Sequence, residues 1–121
     1  MWFYNHISRE AFEQRKDYVE HVMRECGASA LNIKLPYEQK TISCSGDLQE
    51  IHYSQRPVFQ FHHKYFRIDE LLQTEKPFIV IECGTYDELI KNTMEDSDLF
   101  PYDLPDEEIK SIILTLLQEQ E

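Results

Sequence analysis

Glycine is scarce in this chain: three in 121 residues, each isolated. Neither a P-loop nor a G-x-G-x-x-G turn can be built from them, which excludes the common nucleotide cradles. Cysteine is as sparse. Cys26, Cys44 and Cys83 are odd in number and widely spaced, with no C-x-x-C pair. That excludes a disulfide framework and a zinc knuckle and points to a reducing compartment. No run approaches the roughly 20 apolar residues of a membrane span, and the Met-Trp-Phe-Tyr-Asn-His-Ile opening has neither the basic start nor the apolar stretch of a leader. A cytoplasmic location is expected. The patterns H-E-x-x-H, G-x-S-x-G and Ser-His-Asp are also missing.

Basic side chains are short in one region only. Residues 1–81 hold 11 acidic and 10 basic side chains, whereas residues 82–121 hold 12 acidic and 2 basic. The net charge of −11 is therefore almost wholly local. A field of that sign repels phosphate backbones and anionic lipid and attracts basic protein surfaces. Neither nucleic acid nor a membrane is an expected partner. At this length the chain fits a single domain, 1–121, able to bury about two-thirds of its unfolded surface around one core.

What is present is organised around Phe78-Ile79-Val80-Ile81-Glu82-Cys83-Gly84, the one stretch where apolar side chains continue without alternation. Started by Pro77 and stopped by Gly84, it reads as a central strand covered on both faces. Thr85-Tyr86-Asp87-Glu88 then has the spacing of a capping box, so the strand feeds a helix, whose stripe is Leu89, Ile90, Thr93 and Met94. Upstream, Ser8 can cap a helix running to about Cys26, with Phe12, Val19, Val22 and Met23 on one side and Gly27 as its stop. Leu31, Ile33 and Leu35 alternate as a half-buried strand. Thr41–Cys44 and Glu50–Tyr53 form a hairpin about Ser45-Gly46-Asp47. Val58–His63 is a further strand, followed by a phase slip that suggests a bulge near His63 to Tyr65. Asp69–Glu75 reads as a short helix or turn, and 95–103 as an acidic connection. The last helix has Pro105 at its first position, Asp106, Glu107 and Glu108 in its first turn, and a stripe of Ile109, Ile112, Ile113, Leu116 and Leu117, widened by Leu114. The fold class is α+β: a single mostly antiparallel sheet of about five strands, with an N-terminal helix and C-terminal helices packed on one face.

Candidate chemistry is thin. Cys83, at a strand end ahead of a helix N-terminus, is the sharpest nucleophile candidate, but Leu89 stands where a C-x5-R loop needs arginine, and a cysteine in an apolar strand is usually a small buried hydrophobe. His52, His62 and His63 with Glu82 are a candidate metal group, opposed by alternation, which turns adjacent His62 and His63 to opposite faces. Asp96-x-Asp98 fails the calcium-loop template, with Phe100 in place of an oxygen ligand and Pro101 in place of glycine.

The remaining feature is the acidic connection. Leu99, Phe100 and Tyr102 stand among Glu95, Asp96, Asp98, Asp103 and Asp106, an arrangement of apolar anchors inside a charged rim. The plain alternative tucks the aromatics onto the core and leaves the carboxylates solvated. The expected function is a non-enzymatic, acidic interaction protein that binds a basic partner protein as an inhibitor or immunity protein does, using those eight residues. Neither cofactor nor metal is expected, and a homodimer is allowed. The competing expectation is a small-molecule or metal-dependent enzyme using Cys83 with His52, His62, His63 and Glu82.

Overall fold

A computed structural model of the chain describes residues 4–35, 39–44, 47–53, 56–72 and 74–120, the segments 39–44 and 47–53 by their backbone alone. The first helix, α1, spans Arg9–Glu25 and is capped by Ser8, whose Oγ accepts the Ala11 N–H at 3.2 Å. It ends where Gly27 takes a φ of +99°, a conformation costly to any residue with a Cβ. Among the described residues seven strands follow: β1 (Ser29–Leu31), β2 (Gln39–Cys44), β3 (Asp47–Tyr53), β4 (Val58–Phe61), β5 (Lys64–Leu71), β6 (Phe78–Gly84) and β7 (Asp96–Pro101). The helices α2 (Tyr86–Lys91) and α3 (Asp106–Gln118) flank β7 in the chain.

All strand pairings are antiparallel and form one sheet. Along one side β5 pairs with β6 from Tyr65↔Gly84 to Leu71↔Phe78. Its other side is shared, with β4 meeting Lys64–Phe66 and β3 meeting Asp69–Leu71. β1 extends β4, β2 extends β3, and β7 adds to the outer side of β6. The expected α+β class with one antiparallel sheet holds, and β6 is the interior strand that its apolar run indicates, with Ile79, Val80 and Ile81 fully buried.

Alternation divides the side chains between two faces. Phe59, Phe66, Ile68, Ile79, Ile81, Cys83 and Phe100 meet Phe12, Val19, Val22 and Met23 of α1 and Ile109, Ile113, Leu116 and Leu117 of α3 in the main core. Val58 and Tyr65 have the opposite parity and pack with Leu89 of α2 and with Met94. The C-terminal helices are therefore not on one face, because the short α2 serves the other. Its capping box is complete, Thr85 Oγ1 accepting from the Glu88 N–H at 3.2 Å and Glu88 Oε1 accepting from the Thr85 N–H at 2.8 Å.

Several boundaries differ from expectation. Between β4 and β5 there is a two-residue turn in place of a bulge: Phe61 pairs with Lys64, and His62 carries a φ of +54°. A hairpin returns Phe59 and Phe66 to the same face by direct pairing, which the change of parity had suggested was a bulge. Asp69–Leu71 is strand, held between β3 and β6. Asn92, at a φ of +58°, ends α2 before Thr93 and Met94, and Ile90 is exposed. β1 stops at Leu31, and Ile33 and Leu35 pack under α2 without pairing. Leu114 faces solvent. The turns at Ser45-Gly46 and Ser54-Gln55 lie outside the described residues.

Charge also holds the main core together. Lys16 of α1 is fully buried, its Nζ 2.7 Å from Oε2 of Glu70 on β5 and 3.1 Å from Oε1 of Glu13. Arg9 reaches both oxygens of Glu70 at 3.0 and 3.1 Å. Arg56 binds Glu13 and Asp17, each at 2.7 Å, and also Glu20, tying the approach to β4 onto α1. None of this shows as hydrophobic periodicity, since the stems of long charged side chains cover apolar surface while their heads pair.

Candidate functional site

The acidic segment is not a connection. It is β7, an edge strand whose pairing with β6 runs from Cys83↔Asp96 to Phe78↔Pro101. Asp96, Ser97 and Asp98 are exposed, Leu99 is half-buried and Phe100 is buried. On the helix side, Asp96 and Asp98 form with Cys83, Leu116 and Glu119 a cleft of about 260 Å³ between the edge and the end of α3. The last turn of α3 carries no basic side chain, so the negative end of its dipole adds to the carboxylates there.

The eight residues expected to bind a partner separate into three groups. Glu95, Asp96 and Asp98 are exposed, and among the described residues none of them forms an ion pair. Asp103 and Asp106 are exposed but engaged: Lys76 holds Asp103 at 3.1 Å, and Arg15 holds Asp106 at 2.7 Å while also donating to the carbonyls of Tyr102 and Leu104. Leu99 lies partly exposed against Val80 and Leu71 on the second face. Phe100 must be corrected, because at 2 % exposure inside the main core it is a plug and not a surface anchor. Tyr102 is intermediate, its ring meeting Phe12 edge-on at 6.1 Å.

Among the described residues, the enzyme candidates do not come together. Cys83 faces the helices and is 4 % exposed, while its neighbour Glu82 is buried on the opposite face beside Arg67, its cross-strand partner. Burial, with smaller contributions from Asp96, Glu88 and Asp98, pushes the Cys83 thiol up to about 11 against the opposing pull of Lys64. It is a neutral thiol at physiological pH, the opposite of an activated nucleophile. His62 and His63 are exposed in the β4–β5 turn, and the His52 side chain lies outside the described residues. Among the described residues no three His, Cys, Asp or Glu side chains are arranged to hold a metal ion, and no helix is long and apolar enough to cross a membrane.

No protein-family model, curated protein or solved structure matches this chain. Its candidate site therefore rests on geometry alone.

A second charged group escaped the sequence reading. Arg67 and Asp69 on β5 and Glu82 on β6 are all buried on the second face, with Arg67 Nε 3.2 Å from Asp69 Oδ1. Arg67 and Glu82 are directly opposed across the ladder, where cross-strand side chains are closest. The available signal was parity: Arg67 and Asp69 alternate with Phe66 and Ile68, so a strand that buries both faces buries them too.

Proposed function

We propose that this chain is a non-enzymatic acidic interaction protein that binds a basic partner protein, in the manner of a small inhibitor or immunity protein. The observation that carries this reading is the edge of β7, where Glu95, Asp96 and Asp98 are exposed without an ion pair among the described residues. They lie in the third of the chain that holds 12 acidic and 2 basic side chains. Surface carboxylates gain little by themselves for folding, since exposed pairs contribute about 0–1 kcal/mol. Clustered and unneutralised, they raise the local concentration of a cationic partner and its encounter rate. Leu99, half-buried beside this rim, replaces Phe100 as the apolar contact, with Tyr102 at the margin.

The test begins with chemical crosslinking in the source cells to identify the partner, followed by association kinetics with that partner purified. Neutralising Glu95, Asp96 and Asp98 together (E95Q, D96N, D98N) should slow association about tenfold at low salt and flatten its dependence on ionic strength, with the melting temperature unchanged. Association unchanged in that triple variant would overturn the reading.

A further inference from the structure

The mode of binding follows from the hydrogen-bond phase of β7. The Tyr102 N–H donates to the Pro77 carbonyl at 3.1 Å, which extends the β6–β7 register by one residue and marks that pair as hydrogen-bonded. Bonded and non-bonded pairs alternate in an antiparallel ladder. The bonded pairs are thus Phe100↔Ile79, Asp98↔Ile81 and Asp96↔Cys83, and the backbone groups of Ser97, Leu99 and Pro101 turn outward. Pro101 agrees with this phase: it lacks an N–H, and it occupies a position where the ladder needs none. Its carbonyl is taken by the Leu104 N–H at 3.3 Å. Among the described residues, nothing takes the outward N–H and C=O groups of Ser97 and Leu99.

We propose that this open edge is a strand-docking site, to which an extended basic segment of a partner protein adds as an eighth strand through the backbone of Ser97 and Leu99. The proposal rests on the reading of the chain as a binder of a basic protein and specifies how it binds. Side chains fix the pattern the incoming strand must carry. Residues opposite Asp96 and Asp98 share their face and enter the cleft beside Glu119, so lysine or arginine fits there. Residues opposite Ser97 and Leu99 lie on the other face, continuous with Val80, where valine or threonine fits. A segment alternating basic and apolar side chains meets both demands, backbone bonds giving affinity and alternate side chains giving specificity. The same carboxylates discourage a second copy of this chain, since pairing β7 with itself about Ser97 sets Asp96 against Asp98.

The test uses two octapeptides of equal charge: acetyl-Lys-Val-Lys-Thr-Lys-Val-Lys-Thr-amide, and an analogue with proline at every second position, which cannot donate to a ladder. The first should bind with a dissociation constant below about 1 mM and at least tenfold more tightly than the second. Amide exchange read by NMR at saturation should slow at least tenfold at Ser97 and Leu99, while the Asp98 amide, already bonded across to β6, hardly changes. Ser97→Pro removes one outward donor and no bond to β6, and should weaken the first peptide about fivefold or more. Should that variant fail to fold, the exchange measurement on the unaltered protein still decides. Equal binding of the two peptides, or unaltered exchange at Ser97 and Leu99, would overturn strand addition while leaving the acidic-binder reading to its own kinetic test. Binding of neither peptide at 2 mM would also overturn the docking site, as would a dimer in sedimentation that Ser97→Pro dissolves, which would assign the edge to a second copy.

Discussion

Lys16 offers the most demanding test of how α1 is fastened to the sheet. Its ammonium is fully buried, 2.7 Å from Glu70 and 3.1 Å from Glu13, and stands 4.7 Å from the centre of the Phe12 ring. Lys16→Met keeps the apolar stem and removes the charge, leaving the buried Glu70 carboxylate with Arg9 as its cation. Breaking a buried pair costs about 3–5 kcal/mol, and the surviving Arg9 contact places this case near the lower end. Against a total stability of about 5–15 kcal/mol, roughly 3 kcal/mol is a large fraction, equivalent to about 10 °C in melting temperature at this chain length. Glu70→Met alone should cost less, because Lys16 retains Glu13. The double variant is the decisive member. Two thioether side chains of similar volume remove both desolvated charges at once, and such replacements are neutral or stabilising by about 1–4 kcal/mol. Arg9 is not stranded in the double variant, since its side chain is 45 % exposed and keeps Glu13 at 3.1 Å. Equilibrium urea unfolding at pH 7 of the four proteins gives the coupling energy, with equal m-values as the check on two-state behaviour. Additive losses, leaving the double variant as unstable as the two single costs combined, would refute a direct Lys16–Glu70 interaction. So would a Lys16→Met cost below about 1 kcal/mol.

Phe100→Ala should behave as a core deletion, lowering stability by about 3–5 kcal/mol in a thermal melt and weakening partner binding only as far as unfolding does. Maleimide labelling at pH 7, mapped by mass spectrometry, should find Cys83 modified far more slowly than an unstructured thiol. Because folding raises its pKa to about 11, the neutral thiol is favoured in the native state, so its contribution is present at neutral pH and is lost as pH rises from about 9 towards 11. Cys83→Ala should flatten that alkaline decline. Glu13 behaves in the opposite sense. Burial pushes its carboxyl up, but hydrogen bonds from Arg56 and Lys16 outweigh this and hold it below the usual glutamate range. Its contribution is therefore present at neutral pH and is lost as the solution is acidified through its lowered pKa, and Glu13→Gln should shallow the acid limb of a stability profile.

The legible parts of this fold are those where local and global preferences agree. Ser8, Gly27, Thr85 and Glu88 mark helix ends through backbone hydrogen bonds that are settled within four residues. The run at 78–84 announces itself because both of its faces are covered. Illegible from the sequence were the elements whose stability is borrowed from elsewhere. The β4–β5 turn places His62 in a left-handed conformation with neither glycine nor asparagine to signal it, so only the pairing of Phe59 with Phe66 explains it. Lys16 and Glu20 are charged and so do not count in the apolar stripe of α1, Glu70 falls in the stretch expected to be a short helix or turn, and the burial of all three depends on partners 36 to 61 residues away.

β7 is the instructive failure, and its cause bears on function. Asp, Ser, Asp and Pro are poor strand formers, and the segment Asp96–Pro101 has them at four of six positions. It is a strand because Phe100 is a core residue and because β6 would otherwise present its own edge to water. One side of it bonds to β6 at every second residue, and on the other side, among the described residues, the N–H and C=O groups of Ser97 and Leu99 have no partner. Its composition is consistent with the demand on the other side: the backbone must stay extended yet must not pair with copies of itself, and acidic side chains on an edge provide that protection. Protection by lysine would have served equally well for solubility. Carboxylates at the same positions repel acidic strands, and in the strand-docking proposal that choice of sign is what would make a guarded edge selective for basic ones. The segment that looked least like structure in the sequence is therefore the one where structure and candidate function coincide.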